Sequence, residues 1–369
     1  MQPVLAAVPG QDGAVAFLSA AAARPHHAYL LAGPEGSGRS LIARAFAASL
    51  LCRSGGCGAC RDCRLVLADH HPNEFIVEPE GRDIHVDTIR DEVWLPASRT
   101  APEPGRKVFM IREADRLSPA AADTLLKVLE EPPPETVFLL LSARAHELPP
   151  TIWSRCHAVT VAALSEDFVI EQLGADGVDA ERAELAARLA GGNLGRARRM
   201  VTPEGLAFRE TAVQALEAAE HGAQGALDAA SLIMDAAAAF KKGMKATLDL
   251  ELAPFQDERG RTEEAYRGAV KRLETRHQRR ERRAERDQID RILMAMSGLV
   301  RDRIAAAAGA DRSSMMHTDI RPGPASLQGA VATVAQIERA RADLAEDFNR
   351  NVRLVVERAM LGLVAYATR

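Results

Sequence analysis

The octapeptide Gly33-Pro34-Glu35-Gly36-Ser37-Gly38-Arg39-Ser40 constrains this chain more than any other feature, because it sits between a short apolar run and a segment of helical periodicity. Residues 27–31 (His-Ala-Tyr-Leu-Leu) read as a strand, and Leu41 to Leu51 places apolar residues at helical spacing. A glycine loop joining strand to helix turns backbone N–H groups toward an anion at the helix start. Such a unit belongs in a parallel sheet, where each crossover helix returns the chain to run alongside the preceding strand.

The following residues supply that sheet. Glu74 to Glu78, Val108 to Ile111 and Val137 to Leu141 read as further strands, the last apolar throughout and so buried on both faces. A helix is predicted over Pro119 to Glu130, stopped by Pro132-Pro133-Pro134. Alternating strands and helices predict an α/β, doubly wound domain over 1–162. Beyond it, short amphipathic segments over 163–205, separated by Gly174-Ala175-Asp176-Gly177 and Gly191-Gly192-Asn193, predict a small helical domain. Residues 206–369 are nearly all helix-forming, apart from a charged break at Pro254 to Arg261 and a loop at Arg312 to Ser326, and predict an all-α third domain.

In a hydrolytic phosphate loop the glycines close the backbone around the phosphates, a lysine reaches the outer ones, and a Ser or Thr hydroxyl binds magnesium. Gly33, Gly36, Gly38 and Ser40 keep that geometry, but Arg39 stands in the lysine position. A planar guanidinium does not replace a compact ammonium at a tight phosphate site. Hydrolysis also needs an acidic residue ending a neighbouring strand. Val108 to Ile111 instead runs into Arg112, putting positive charge where a divalent cation belongs, with Glu113 and Asp115 as the nearest acids. The spacing therefore predicts no turnover, the loop serving either as scaffold without ATP and magnesium or as a static nucleotide pocket.

Cys52, Cys57, Cys60 and Cys63 follow, with four, two and two residues between them and glycines at 55, 56 and 58. Four soft donors with no histidine predict a closed, structural, tetrahedral zinc site, with an iron–sulfur cluster as the other metal such donors suit. The fifth cysteine, Cys156, reads as a small buried residue. Composition limits the partners. A net charge of -4 and a pI near 6.2 exclude capture of nucleic acid over the whole surface, and 4% aromatics is too few for a base-stacking platform. One exception is Arg267 to Arg286, with nine Lys or Arg against three Glu: either a solvated helix laced with charge pairs or a local surface for an acidic or nucleic-acid partner. No run approaches the roughly 18 apolar residues of a membrane helix, and the start lacks a secretory basic region, so a cytoplasmic protein is expected.

Four motifs in this order resemble the clamp-loader branch of the AAA+ ATPases: the loop at 33–40, the cysteine module after its helix, Leu125-Leu126-Lys127-Val128-Leu129-Glu130-Glu131-Pro132-Pro133, and Ser154-Arg155-Cys156. The resemblance covers about residues 10–160. It implies a RecA-like AAA+ domain with an inserted zinc module, a helical lid and an all-α collar, in a five-subunit ring of gamma/tau-type and delta-type subunits of DNA polymerase III that places a sliding clamp on primed DNA. It further implies that Arg155, flanked by Ser154 and Cys156, reaches a neighbour's ATP site. Active members carry Lys at position 39, Asp-Glu at 112–113, and a lid arginine that this alignment puts at Gly195, with Arg196 one residue away. These departures fit the stator type better than a motor-type gamma/tau-like ATPase. A zinc-dependent nucleic-acid-binding protein outside replication is the reading from another class.

Overall fold

The computed structural model describes residues 2–79, 81–255, 267–323, 326–346 and 351–367. The chain divides into two compact units, residues 1–164 with 251–279, and residues 165–250 with 280–369.

The first unit is built on a five-stranded sheet: β1 Ala28–Ala32, β2 Glu74–Val77, β3 Lys107–Ile111, β4 Thr136–Ser142 and β5 His157–Thr160. The order is β2-β3-β4-β1-β5 and every pairing is parallel. Alternation along the strands explains why their sequences are apolar without a break. Tyr29, Leu31, Val108 and Met110 enter one core with the helices Asp12–Ala21 and Arg39–Leu51. Ala28, Leu30, Phe109 and Ile111 enter the other, against residues of 84–97 and the helix Pro119–Glu130. On that second face Phe75, Phe109 and Phe138 stack across three adjacent strands at 4.6 and 5.3 Å. Helix Pro119–Glu130 begins where predicted, with Ser118 accepting the Ala121 N–H and proline in its first turn.

β5 has no counterpart among the predicted strands. It is an edge strand with one buried residue in four, so it lacks the apolar run that marks the others. The cysteine segment also folds more than its loop-like composition suggests, forming the seven-residue helix Arg61–Leu67.

The second unit is helical among the described residues. Glu166–Ala175, Ala180–Ala190, Leu194–Met200 and Pro203–Ala219 each start behind a side-chain cap, from Ser165, Asp179, Asn193 and Thr202 respectively. Gly191 ends the second of these helices in the left-handed conformation that glycine favours. Most of helix Gly222–Leu252, the part of Arg267–Ala307 from Arg280 on, and helices Leu327–Glu346 and Val352–Ala367 complete the unit. Its core includes Ile233, Ile289, Met296, Ile337 and Val356. The predicted break at Pro254 to Arg261 falls mostly outside the described residues.

Candidate functional site

The loop leaves β1 at Gly33 and enters helix Arg39–Leu51. Each conserving feature of its shape has a steric reason. A Cβ on Gly33 would lie 2.0 Å from the Val161 carbonyl oxygen, so only glycine lets the loop pass the end of β5. Gly36 and Gly38 have φ of 82° and 93°, the left-handed region open to glycine. Gln11 pins the base of the loop, its amide N–H donating to the Ser37 and Ala162 carbonyls at 2.8 Å each, while its oxygen accepts the Ala162 N–H. Nothing in the sequence marks Gln11, whose partner at 162 lies far along the chain.

The Ser37 hydroxyl is buried with no hydrogen-bond partner, and Ser40 is exposed at the helix start. Arg39 is half-buried, and burial lowers its pKa while Asp115, Glu35 and Glu113 oppose the shift. The loop thus turns tightly from strand to helix start with the Arg39 cation beside it, although the Gly33 and Ser37 N–H groups are already bonded, to the Ser142 and Pro34 carbonyls.

The acids expected nearby are already engaged. Asp115 accepts from the Ser142 hydroxyl at 2.6 Å, from the Ala143 N–H, and from Arg144. Glu113, itself at φ 52°, pairs with Arg116 at 3.0 Å. Arg112, which the sequence reading placed where a divalent cation belongs, is itself tied to two carboxylates. Its guanidinium forks onto Asp69 at 2.7 and 2.8 Å and meets Glu78 at 2.6 Å. Burial works against this cation, but the two carboxylates outweigh it and hold its pKa above the ordinary arginine value.

Beside this ion group lies Glu74, a residue the sequence reading took only as the first of a strand. Its side chain is fully buried, and neither carboxyl oxygen has a hydrogen-bond partner. Burial first, and Asp69 next, raise its pKa well above the carboxylate range despite nearby Arg112, Arg276 and Arg44. A neutral carboxyl is the consequence.

The four cysteines converge. Their sulfurs all lie within 4.8 Å of one another. The separations of 3.6 Å for Cys52 to Cys60, 3.9 Å for Cys52 to Cys57 and 4.0 Å for Cys57 to Cys63 match the edge of about 3.8 Å in a tetrahedron with metal–sulfur bonds of about 2.3 Å. Backbone N–H groups of Gly58 and Cys63 point at the Cys63 and Cys60 sulfurs respectively. At Gly56 a Cβ would meet the Val4 side chain and the Ser49 backbone, so glycine is needed to tuck the module under helix Arg39–Leu51. Burial opposes ionisation of Cys52, yet N–H groups of Cys57, Gly56 and Ser54 prevail and bring it down to about 6. Burial, with Cys52 and Cys60 beside it, pushes Cys63 far up. Thiols this close ionise together only around a cation, so the four cysteines could hold a metal ion such as zinc.

A second group, Asp62, His71 and Glu103, also lies within 4.8 Å. Arg61 pairs with both of its carboxylates. The His71 Nδ1 accepts the Asn73 N–H, which leaves the proton on Nε2 and no lone pair there for a metal.

Arg155 lies two residues after the short helix Pro150–Trp153 and two before β5. Its guanidinium donates to the Thr151 carbonyl at 3.0 Å, to the Ser154 hydroxyl at 3.2 Å and to Glu130 at 2.5 Å. Cys156 is packed under this turn, and burial raises its thiol to about 12. Register fixes where Arg155 stands. Tyr29 of β1 pairs with His157 and Ala32 with Thr160, so Arg155 lies beyond the entry end of β1, whereas Gly33 leaves its exit end. Roughly 15 Å of strand separates the two ends. In the second unit, Asn193 accepts the Arg196 N–H, and the Arg196 guanidinium lies 3.7 Å from the Met294 sulfur.

The basic stretch from Arg267 is not a freely solvated face along its first turns. Arg272 donates to the Pro72 carbonyl, Arg276 to the Asp69 carbonyl, and Arg279 forks onto Glu92.

Comparison with known proteins agrees with the resemblance over the sheet-bearing residues. The pattern of the family described as DNA polymerase III, delta subunit, matches residues 11–165. DNA polymerase III subunit delta' of Pseudomonas aeruginosa is 46% identical over 136 residues, 35% of this chain and 41% of that protein. The delta' subunit of Escherichia coli K12 is 36% identical over 202 residues, 53% of this chain and 60% of that one. Subunit tau of E. coli K12 is 37% identical over 155 residues, 41% of this chain and 24% of tau. The chain spans about half the length of the curated delta' relatives it matches. Among solved structures, a DNA polymerase III gamma subunit-related protein of Thermotoga maritima aligns over 95% of this chain and 99% of its own at 16% identity, with a TM-score of 0.40.

Proposed function

Because residues 11–165 match the family described as DNA polymerase III, delta subunit, and the chain is similar to delta' subunits, we propose that it is a stator-type clamp-loader subunit. In this reading it supplies Arg155 to a neighbouring subunit's ATP site and has little or no ATPase of its own. The observation that carries the proposal is the polarity of the sheet, with Arg155 at the entry end of β1 and the loop at its exit end. An arginine so placed is out of reach of its own loop, and any nucleotide it serves is another subunit's. Supplied in trans, a guanidinium neutralises charge developing on the transferred phosphoryl group, an effect worth about 10³ to 10⁵ in rate. Its tie to Glu130 is a surface ion pair, the Arg155 side chain being 32% exposed, and such pairs are released at little cost.

The chain's own loop supports the inactive half of the reading. Arg39 takes the lysine position, Arg112 is bound to Asp69 and Glu78, and Asp115 is committed to Ser142, Ala143 and Arg144. Gly33, Gly36, Gly38, Arg39 and Ser40 would then form a static nucleotide pocket, with ATP and magnesium bound idly or not at all. Zinc at Cys52, Cys57, Cys60 and Cys63 is structural. Residues 163–205 act as the lid and 206–369 as the collar, through which gamma/tau-type and delta-type subunits assemble in a ring of five around the sliding clamp and primed DNA.

The test begins with the purified chain alone. ATP turnover at background, unchanged by Ser40→Ala, together with stable association with tau-type and delta-type partners, is the expected result. Magnesium-dependent turnover abolished by Ser40→Ala would establish the motor-type reading instead. Tight, steeply salt-dependent binding of DNA by the isolated chain would favour a nucleic-acid-binding protein.

A further inference from the structure

The segment Glu251–Arg279 folds with the first unit although it lies between two stretches of the second. Its described parts, Glu251–Phe255 and Arg267–Arg279, bear on one place. Phe255, Val270 and Leu273 are buried together, and Leu252 and Leu65 pack against them. Leu65 lies on helix Arg61–Leu67, which Cys60 caps through its sulfur and to which Cys63 belongs. The polar contacts fall on the turn leaving that helix. Arg276 donates to the Asp69 carbonyl at 2.9 Å, Arg272 to the Pro72 carbonyl at 2.7 Å, and the His70 ring meets Phe255 edge-on at 5.6 Å. Arg272 also lies 4.5 Å over the Phe75 ring, on the strand this turn enters.

A seven-residue helix has no stability of its own, and this one is capped at its first turn by the Cys60 sulfur and carries Cys63 within that turn. Resting on the reading of the four cysteines as a metal site, we infer a further role for that site: metal binding and docking of Glu251–Arg279 are thermodynamically coupled. The metal fixes the helix, and the helix presents Leu65 and the 69–72 carbonyls that hold the returning segment. Coupling of binding free energies is reciprocal, so the docked segment tightens the metal site in turn.

The experiment uses the full chain loaded with zinc, its metal content measured, and then stripped with a chelator under reducing conditions. Hydrogen exchange is followed in peptides from 251–255 and 267–279, with β4 peptides as internal reference. Stripping is expected to speed exchange in the segment at least about tenfold while β4 is unchanged. Leu273→Asp is expected to weaken zinc affinity by a comparable factor in competition with a chromophoric chelator, whereas Val331→Asp, at an exposed position of the second unit, leaves it unchanged. Complete metal loss without faster exchange in the segment would overturn the coupling, as would unaltered affinity in Leu273→Asp. Equal acceleration in β4 would do so too, because the effect would then be global unfolding. A full chain that binds no zinc at all would overturn the site reading, and the coupling with it.

Discussion

Arg112 and Glu74 together show how little of a buried ionic group is written in any one residue. The sequence marked Arg112 as a departure from an acidic position, but its destination depends on Glu78, brought beside it by the parallel pairing of β2 and β3, and on Asp69, from the turn after helix Arg61–Leu67. Glu74 looked like a polar start to a strand. Its burial follows from β2 being covered on both faces, which no local pattern reveals. Removing one partner of a buried ion group leaves the others uncompensated, so Arg112→Ala is predicted to cost about 3–5 kcal/mol in chemical denaturation. Glu74 gives a pH signature. Its folded-state pKa is raised, so its stabilising contribution is fully present below the ordinary carboxylate range and is lost as pH rises through the folded value. Glu74→Gln removes that loss, and its melting temperature is predicted to gain on the parent as pH rises from 5 to 8. A difference that stays constant over that range would contradict the neutral carboxyl.

At the scale of elements, strand existence was legible where both faces are buried and illegible where they are not. β1, β3 and β4 carry apolar runs and were found to within about one residue at each end, whereas β5 has one buried residue in four and was missed. The glycine loop was legible because its strand and helix flank it, but the reason for Gly33 was not, since its neighbour Val161 is the residue that leaves β5. That contact ranks the loop glycines. Gly33→Ala must displace backbone and is predicted to cost about 3 kcal/mol or more, the upper end of overpacking, and to disturb β5. Gly38→Ala meets nothing within 4 Å and should lose only the left-handed penalty of roughly 1–2 kcal/mol. Urea titration of both variants checks the order; equal costs would mean the loop passes β5 less closely than described. The convergence of the four cysteines was legible, because their spacing limits how far apart they can lie, while the helix within the module was not.

For the whole molecule, the sequence conveyed a change of character after residue 160 but no sign that Glu251–Arg279 returns to the first unit, because that return depends on a few apolar side chains in a strongly charged stretch. Among the described residues no helix is long and apolar enough to cross a membrane. The central claim concerns what this chain does for another, and it is tested most directly by comparing parent and Arg155→Ala chains in an assembly reconstituted with tau-type and delta-type partners, a sliding clamp and primed DNA. The account predicts that Arg155→Ala assembles normally yet lowers DNA-stimulated ATP hydrolysis at the adjoining site by about 10³ or more, Arg155→Lys restoring little of it. Hydrolysis at the parent rate in an intact Arg155→Ala assembly would contradict it.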